Sequence, residues 1–228
     1  MQIFEVKNFS KIREERQENN DIMVRKSSFT KHVNVKAMNR VQDRLRMTRE
    51  QLLYQSPEFL ELLSMHVSIN SSRQGTKDET YVIEGIAGYL KAYGISIENL
   101  GTHDMVPLQD GRVLSRKECK KLDIPKNQKL KSFDFKGSAL NKTILGFAKV
   151  CVGQGGHQDN VYLETVSLLD WINNHGDSDH LYIIMIDGLD KQANKKYNSL
   201  KSSYSQLKNV FIGSHIKVQT FLKERYGN

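Results

Sequence analysis

The sequence predicts an α/β fold in which a central mixed β-sheet is flanked by helices. Residues 181–188, LYIIMIDG, form a continuous apolar run, which is typical of a strand covered on both faces. Residues 132–137, SFDFKG, alternate between apolar and charged side chains, as a half-buried strand does. Segments with helical start and stop signals lie before and after these two strands. Together these patterns indicate strands and helices that share one core.

The N-terminal 47 residues are polar and of mixed charge, and we expect a basic N-terminal arm or cap there. Residues 48–228 are predicted to form a single domain. A helix is expected from Thr48, where TREQ has the form of a capping box. A second helix is expected to start near Gly75 and to stop at Gly94. The 3.6-residue period puts these side chains on one face of it: Glu79, Val82, Ile83, Ile86 and Leu90.

The middle of the chain is predicted to alternate between strands and short helices. ISIENLG alternates like a strand, and HDMVPLQDGRVLS has the pattern of a hairpin that turns at Asp110-Gly111. SRKECKKLDIP is expected to be a short helix capped by Ser115 and Glu118. The apolar and then glycine-rich GFAKVCVGQGGHQDN leads into a helix over VYLETVSLLDWINNHG. A polar helix around 191–208, a strand NVFIG and a helix KVQTFLKER complete the chain.

Charge and composition point to a soluble protein with a phosphate-binding surface. No apolar run approaches the roughly 18 to 20 residues that cross a bilayer. Two cysteines form neither a disulfide framework nor a zinc spacing, so a cytoplasmic location is expected. The net charge is +8, and residues 112–149 hold eleven Lys or Arg against three acids. Such a surface attracts phosphate backbones without reading sequence, although a solvated lysine-rich surface explains it equally well.

Asp134 and Lys136 form the centre of the candidate site. In an alternating strand Phe133 and Phe135 enter the core, so that the acid and the lysine share the other face. Asp104 lies where the preceding strand turns into the hairpin, and it is the candidate second acid. Two carboxylates can hold Mg²⁺, and a lysine beside the metal can orient a water for hydrolysis of a phosphodiester. The alternative is an exposed ion pair on a half-wet sheet.

Two further acids have competing explanations. Asp110 is a rival to Asp104 as the first acid, but an Asp-Gly turn explains it without a function. Glu79 lies at the end of an apolar stripe, on the core side, where an unpaired carboxylate is costly. Thr76-x-x-Glu79 is also a capping-box pattern. Glu79 is therefore expected to cap the helix or to lie at the site, and the two roles are compatible.

The order of these features resembles that of the PD-(D/E)XK nucleases, and in particular of type II restriction endonucleases. An acid, a hairpin, a strand ending in DFK and a later apolar strand follow one another over roughly residues 73–190. His103 stands where the pattern often has proline. The resemblance implies a restriction-endonuclease-like core and Mg²⁺-dependent cleavage of double-stranded DNA at a specific, palindromic site. It also implies a homodimer, because protein symmetry can mirror that of the site.

The resemblance also implies a role for each site residue. Asp104 and Asp134 would bind Mg²⁺ together with the backbone carbonyl of Phe135. Lys136 would position the attacking water, and Glu79 would support the metal or its waters. The products would carry 5′-phosphate and 3′-hydroxyl ends.

Flanking residues are predicted to contact DNA. Backbone N–H groups at a helix start favour anions, and Arg73 can hold a phosphate through two hydrogen bonds. The glycine-rich loop allows close approach, and its polar side chains can read base edges. The predicted DNA-contacting residues are Arg73, Gln74, Lys77, Lys142, Gln154, His157, Gln158 and Asn160.

Two other functions fit the same residues. One is a nuclease of the same fold that acts in repair or in a phage and recognises DNA structure rather than sequence. The other is a non-catalytic nucleic-acid-binding protein whose basic block holds phosphates, with Asp134 and Lys136 as an ion pair.

Overall fold

A five-stranded mixed β-sheet lies at the centre of the computed structural model, beside a separate two-stranded hairpin. The strands are β1 (Ser96–Asn99), β2 (Val106–Pro107), β3 (Val113–Leu114), β4 (Phe135–Ala139), β5 (Lys142–Val150), β6 (His180–Asp187) and β7 (Val210–Gly213). The sheet order is β1-β4-β5-β6-β7; β1, β4 and β5 pair antiparallel, whereas β5, β6 and β7 pair parallel. The hairpin pairs β2 with β3, as predicted. The predicted fold class is confirmed.

Helices precede and follow the strands. They are α1 (Arg49–Leu53), α2 (Ser71–Lys91), α3 (Arg116–Lys121), α4 (Gly156–His175), α5 (Lys191–Ser203) and α6 (His215–Tyr226), with a 3-10 helix at Lys126–Gln128. Residues 9–15 and 42–45 are also helical. The structure describes residues 2–15, 42–56, 59, 71–100, 104–151, 156–189 and 191–227. Within these ranges no helix is both long enough and apolar enough to cross a membrane.

The chain divides into two compact units. One contains Met1–Lys7 and Gly75–Asn228, and the other contains Asn8–Gln74. All the strands named above belong to the first unit. The sequence placed the boundary after residue 47, whereas this division places residues 48–74 with the N-terminal unit. The predicted capping box at the start of α1 is present, because Thr48 and Gln51 exchange both hydrogen bonds.

Burial follows the predicted patterns in the unit that contains the sheet. β6 is buried from Leu181 to Asp187, as its apolar run predicts. Helix α2 ends at Lys91, and Gly94 follows with a positive φ of 71°. The predicted stripe of α2 is buried at Val82, Ile83, Ile86 and Leu90.

A tight hairpin between β4 and β5 sets the register of the strands that carry the site. Its loop has two residues, because Ala139 pairs with Lys142. At the other end of the hairpin Phe135 pairs with Gly146 and is fully buried, as predicted. A Cβ on Gly146 would lie 1.9 Å from the Phe135 ring, so the close approach of this ring requires glycine. Asp134 therefore lies just before β4, beside the second half of β5.

The first residues of the chain are attached to α6 in the same unit. The Phe4 backbone N–H donates to Gln219 Oε1, and Gln219 Nε2 donates to the Phe4 carbonyl. The Val6 N–H donates to His215 Nε2 at 3.0 Å. Because Nε2 accepts, the His215 proton lies on Nδ1, which is 2.8 Å from Asp187 Oδ1. This buried His–Asp pair therefore anchors the N-terminus.

Candidate active site

The candidate active site centres on the ammonium group of Lys149, near the end of β5. The side chain is only 8% exposed. Its Nζ lies 2.9 Å from Glu79 Oε1 and 3.3 Å from Asp134 Oδ2. It also donates to the backbone carbonyl of Ala148 at 2.8 Å. Three oxygens, from a helix, a loop and a strand, therefore surround one ammonium group.

Asp134 is held on both sides by backbone hydrogen bonds. Its N–H donates to the Gly146 carbonyl at 2.7 Å, and its carbonyl accepts from Leu100 N–H at 2.8 Å. Its carboxylate Oδ2 accepts from the Ala148 N–H at 2.9 Å. Hydrogen bonds on either side of the residue thus fix both the backbone and the side chain of Asp134. The carboxylate is oriented before any ligand binds, as a site of this kind requires.

Glu79 reaches the site from α2. The helix starts at Ser71, so Glu79 lies in the third turn, and the prediction that it caps the helix start is wrong. It shares the stripe that buries Val82 and Ile83. Its side chain is 17% exposed and contacts Lys149, so the carboxylate on the core side is paired. The alternative role predicted for Glu79, at the site, agrees with this position.

Burial and charge shift the pKa values of both partners upward. Burial raises the pKa of Glu79, and the neighbouring Asp134 carboxylate raises it further against the opposing effect of Lys149. Burial alone would lower the pKa of Lys149, but the carboxylates of Asp134 and Glu79 outweigh it and raise the value. Lys149 is therefore a cation at neutral pH, whereas Glu79 resists ionisation more than an exposed glutamate.

The three side chains line an open pocket of about 410 Å³, within the range of ligand sites. The pocket is formed where α2 meets β1 and the segment before β4. A second cation, Lys131, faces it together with several polar side chains. These are Thr76, Thr80, Asn99 and Ser132. Carboxylates, cations and hydrogen-bonding groups thus converge on a space that a phosphate-sized group can enter.

The lysine at this site is not the predicted one. Lys136 Nζ lies 3.4 Å from Glu98 Oε2, its cross-strand partner on β1, and both side chains are about half exposed or more. It makes no salt bridge with Asp134 within the part of the chain that the structure describes. The structure thus pairs Asp134 with Lys149 and pairs Lys136 with Glu98, and a joint role of Asp134 and Lys136 stays a prediction. Asp134 precedes the ladder and turns toward β5, whereas Lys136 lies within the ladder and faces solvent.

Three other predicted residues also lie elsewhere. Asp104 is exposed and is not among the residues that line the pocket, and the second carboxylate that contacts Lys149 is that of Glu79. Phe135 is paired within the sheet, and the carbonyl beside the ammonium group is that of Ala148 instead. Asp110 accepts two hydrogen bonds from the Arg112 guanidinium, which lowers the pKa of the Asp110 carboxyl. The Arg112 backbone N–H also donates to Asp110 Oδ1, and Gly111 has a positive φ of 92°, which agrees with the turn explanation of Asp110.

The residues predicted to contact DNA divide into three groups. Lys77 and Asn160 are exposed, on α2 and on α4. Lys142 starts β5, seven residues before Lys149, and its Nζ donates to the Ser178 carbonyl, so the structure does not bring it to the site. Gln154 lies outside the described part of the chain. The remaining four residues lie in helices, but their side chains are outside the described part: Arg73, Gln74, His157 and Gln158.

The donor set fits Mg²⁺, which binds oxygen ligands and is commonly held by one or two carboxylates together with waters. Asp134, Glu79 and the carbonyl of Ala148 are such donors. No cluster of three or more His, Cys, Asp or Glu suited to a metal was found in the described ranges, so a metal here would rely on two carboxylates. Comparisons with models of protein families, with curated proteins and with solved structures found no match. The functional argument therefore rests on the site itself.

Proposed function

We propose that the chain is a Mg²⁺-dependent endodeoxyribonuclease that hydrolyses phosphodiester bonds in double-stranded DNA. One observation carries the proposal: a protonated lysine, Lys149, lies between two carboxylates, Glu79 and Asp134, in an open pocket beside the sheet. Two acids and a lysine that converge in this way are suited to metal-assisted hydrolysis of a phosphodiester. The net charge of +8 favours a polyanionic substrate.

The site supports the resemblance to PD-(D/E)XK nucleases through a different set of residues. Asp134 keeps its place as an acid of the motif, but the lysine is Lys149 on the next strand. The motif has an acid two positions before its lysine, and here that position is Phe147, which is fully buried. The carboxylate of Glu79 contacts Lys149 from the helix instead. The chain thus departs from the motif at one position, where a carboxylate from another element compensates.

Each residue then has a defined task. Asp134 and Glu79 would hold Mg²⁺ through the carboxylate oxygens that do not contact Lys149, together with the second lone pair of the Ala148 carbonyl. The metal would supply Lewis acidity and a more acidic water when it is bound. The Lys149 ammonium group orients the attacking water and stabilises negative charge on the phosphate. Lys131, which faces the same pocket, adds a second positive charge for the phosphate. The hydrogen bond from Ala148 N–H keeps the Asp134 carboxylate in position during the reaction.

The proposal includes site-specific cleavage by a homodimer, as in type II restriction endonucleases. Discrete fragments from plasmid DNA would support this part of it. A preference for junctions, flaps or ends would favour a structure-specific repair or phage nuclease instead. Both outcomes use the same active site, so the choice between them is a matter of substrate.

The test compares the purified chain with its Asp134→Asn variant on plasmid DNA with Mg²⁺. We expect fragments from the original chain and a loss of at least about 100-fold in the variant, since one preorganised charge is removed. Asparagine Oδ1 can still accept from Ala148 N–H, so DNA binding should persist. Absence of cleavage by the original chain would refute the proposal and favour a binding protein. Equal cleavage by the variant would refute the assignment of the site.

A further inference from the structure

A second, larger pocket lies in the unit that contains the sheet. It is a groove of about 940 Å³ between α4 and the segment that carries α3 and the 3-10 helix. Leu130 and Leu163 contribute apolar walls to it. Five cationic side chains line it, and this groove is called the basic groove below. They are Arg116, Lys120, Lys126, Lys129 and Lys131.

The acids of the basic groove do not neutralise it. Two carboxylates line the groove, Glu164 and Asp170. Glu164 Oε1 lies 4.0 Å from Lys131 Nζ, and Asp170 Oδ1 accepts a hydrogen bond from the Tyr204 hydroxyl at 2.5 Å. Among the residues that the structure describes, no salt bridge joins an acid to any of the other four cations. The groove therefore presents several uncompensated positive charges along one surface, which complements a polyanion.

The basic groove adjoins the candidate active site. Lys131 lines both pockets. Lys129 has an extended backbone and is five residues before Asp134, so the two Cα atoms are at most about 18 Å apart. A DNA duplex rises about 3.4 Å per base pair, so these lysines of the groove lie within about five base pairs of the acids. A duplex whose phosphodiester lies at the acids can therefore pass the lysines of the groove.

The groove offers five cations and, apart from the exposed ring of His175, no exposed aromatic surface for bases. Trp171 is the one Trp, Tyr or Phe among its described lining residues, and it is only 5% exposed. Its indole N–H donates to the Leu108 carbonyl at 2.7 Å, which fixes the ring in the core. Proteins that bind single strands typically stack bases on exposed aromatic side chains. The groove is therefore suited to the backbone of a duplex, whose bases are stacked on one another.

We propose that the basic groove binds the sugar–phosphate backbone of duplex DNA next to the bond that is cleaved. This inference rests on the proposed function and identifies the surface that holds the substrate. Because these cations contact phosphates and not base edges, the affinity that they contribute is independent of base sequence and decreases with salt.

Helix α3 provides a matched test. Arg116 and Lys120 line the groove, whereas Lys117 and Lys121 lie on the same helix and do not. The test variant is Arg116→Gln/Lys120→Gln, and the control is Lys117→Gln/Lys121→Gln. Each pair removes one charge from the first turn and one from the last, so effects on the helix and on net charge are equal. Circular dichroism melting verifies that both fold.

Affinity is measured without Mg²⁺, by fluorescence anisotropy on a 24-base-pair duplex at several salt concentrations. Loss of two phosphate contacts should reduce the salt slope of log K by about 2 and the affinity by about 60-fold at 0.1 M salt. The control should change neither by more than about threefold. Lys126→Gln/Lys129→Gln, in the 3-10 segment, should repeat the loss and serves if the α3 variant is unstable.

The inference would be overturned if the groove variant and the control variant had the same DNA affinity and the same salt slope, whether both values fell or both stayed unchanged. Equal affinity for single strands would overturn the assignment to duplex DNA, and equal competition by polyglutamate would favour an acidic protein partner. Failure of the proposed function has a different signature, since the original chain would then not cut DNA with Mg²⁺. Binding is measured without the metal, so the two failures are distinguishable.

Discussion

Replacing Lys149 with methionine perturbs the site at its centre. Methionine keeps much of the aliphatic stem but removes the ammonium group, so that Glu79 and Asp134 lose the cation between them. Loss of one partner from a fully buried ion pair costs about 3–5 kcal/mol, whereas an exposed pair contributes about 0–1 kcal/mol. The two carboxylates are 17% and 19% exposed, so the pair lies between these limits.

From that burial we expect Lys149→Met to lower the free energy of unfolding by about 2 kcal/mol without metal. For a protein of this size the melting temperature should fall by about 4–8 °C. The variant keeps two adjacent carboxylates with no competing ammonium group, so added Mg²⁺ should restore more of its melting temperature than it adds to the original chain. Cleavage should nevertheless fall about 10²–10³-fold, because a preorganised charge is lost.

The control is Lys136→Met, which removes the lysine of the DFK segment. Its partner Glu98 is exposed, so we expect a change in stability below about 1 kcal/mol and normal cleavage. Thermal melting with and without Mg²⁺, and plasmid cleavage at matched protein concentration, provide the two measurements. If Lys136→Met abolished cleavage while Lys149→Met did not, the assignment of the catalytic lysine would be refuted.

Two further predictions concern Glu79 and the hairpin. The pKa of Glu79 is higher in the folded state than in the unfolded chain, so protonation of Glu79 favours folding. Its contribution to the free energy of unfolding should therefore be full below pH 4.5, the ordinary pKa, and should decrease as the pH rises above that value. Cleavage should increase over the same window as the carboxylate ionises, and Glu79→Gln should remove that part of the stability profile. Gly146→Ala should destabilise the chain by about 1–3 kcal/mol, because its Cβ would lie 1.9 Å from Phe135. Urea denaturation measures this, and an unchanged midpoint would contradict the packing argument.

The parts of the fold that were predictable depend on local patterns. The apolar run of β6 and the stripe of α2 identify buried faces whichever partner covers them. The position of Glu79 at the site could also be predicted from the sequence, because a carboxylate on the apolar face of a helix needs a partner. The identity of that partner depends on which strand lies beneath α2, and no local pattern contains this information.

The sequence also contains a pattern that indicates a partner for Lys149, although the DFK segment favours Lys136 as the lysine of the site. It is the one charged residue in the run ILGFAKVCV, where an unpaired lysine would be costly. Its proximity to Asp134 follows from the register of the β4–β5 hairpin. That hairpin turns at Leu140 and Asn141, with φ of +51° at Leu140, rather than at the usual Asn-Gly or Asp-Gly. Without a recognisable turn, the two strands cannot be aligned from the sequence. The sequence therefore favours the adjacent Lys136, whereas the structure places Lys149 against Asp134.

The charge balance of the site bears on the proposal that it binds a metal and a phosphate. With both acids ionised and Lys149 protonated, the three side chains carry a net charge of −1 beside a groove lined by five cations. A structural pair needs one acid for one base, and a second carboxylate raises the pKa of Glu79 instead of stabilising it. A divalent cation would change the local charge from −1 to +1 and so make the pocket attractive to a phosphodiester. Lys131 lines the same pocket and offsets part of this negative charge, and the remaining carboxylate character agrees with the proposed binding of a metal and a phosphate.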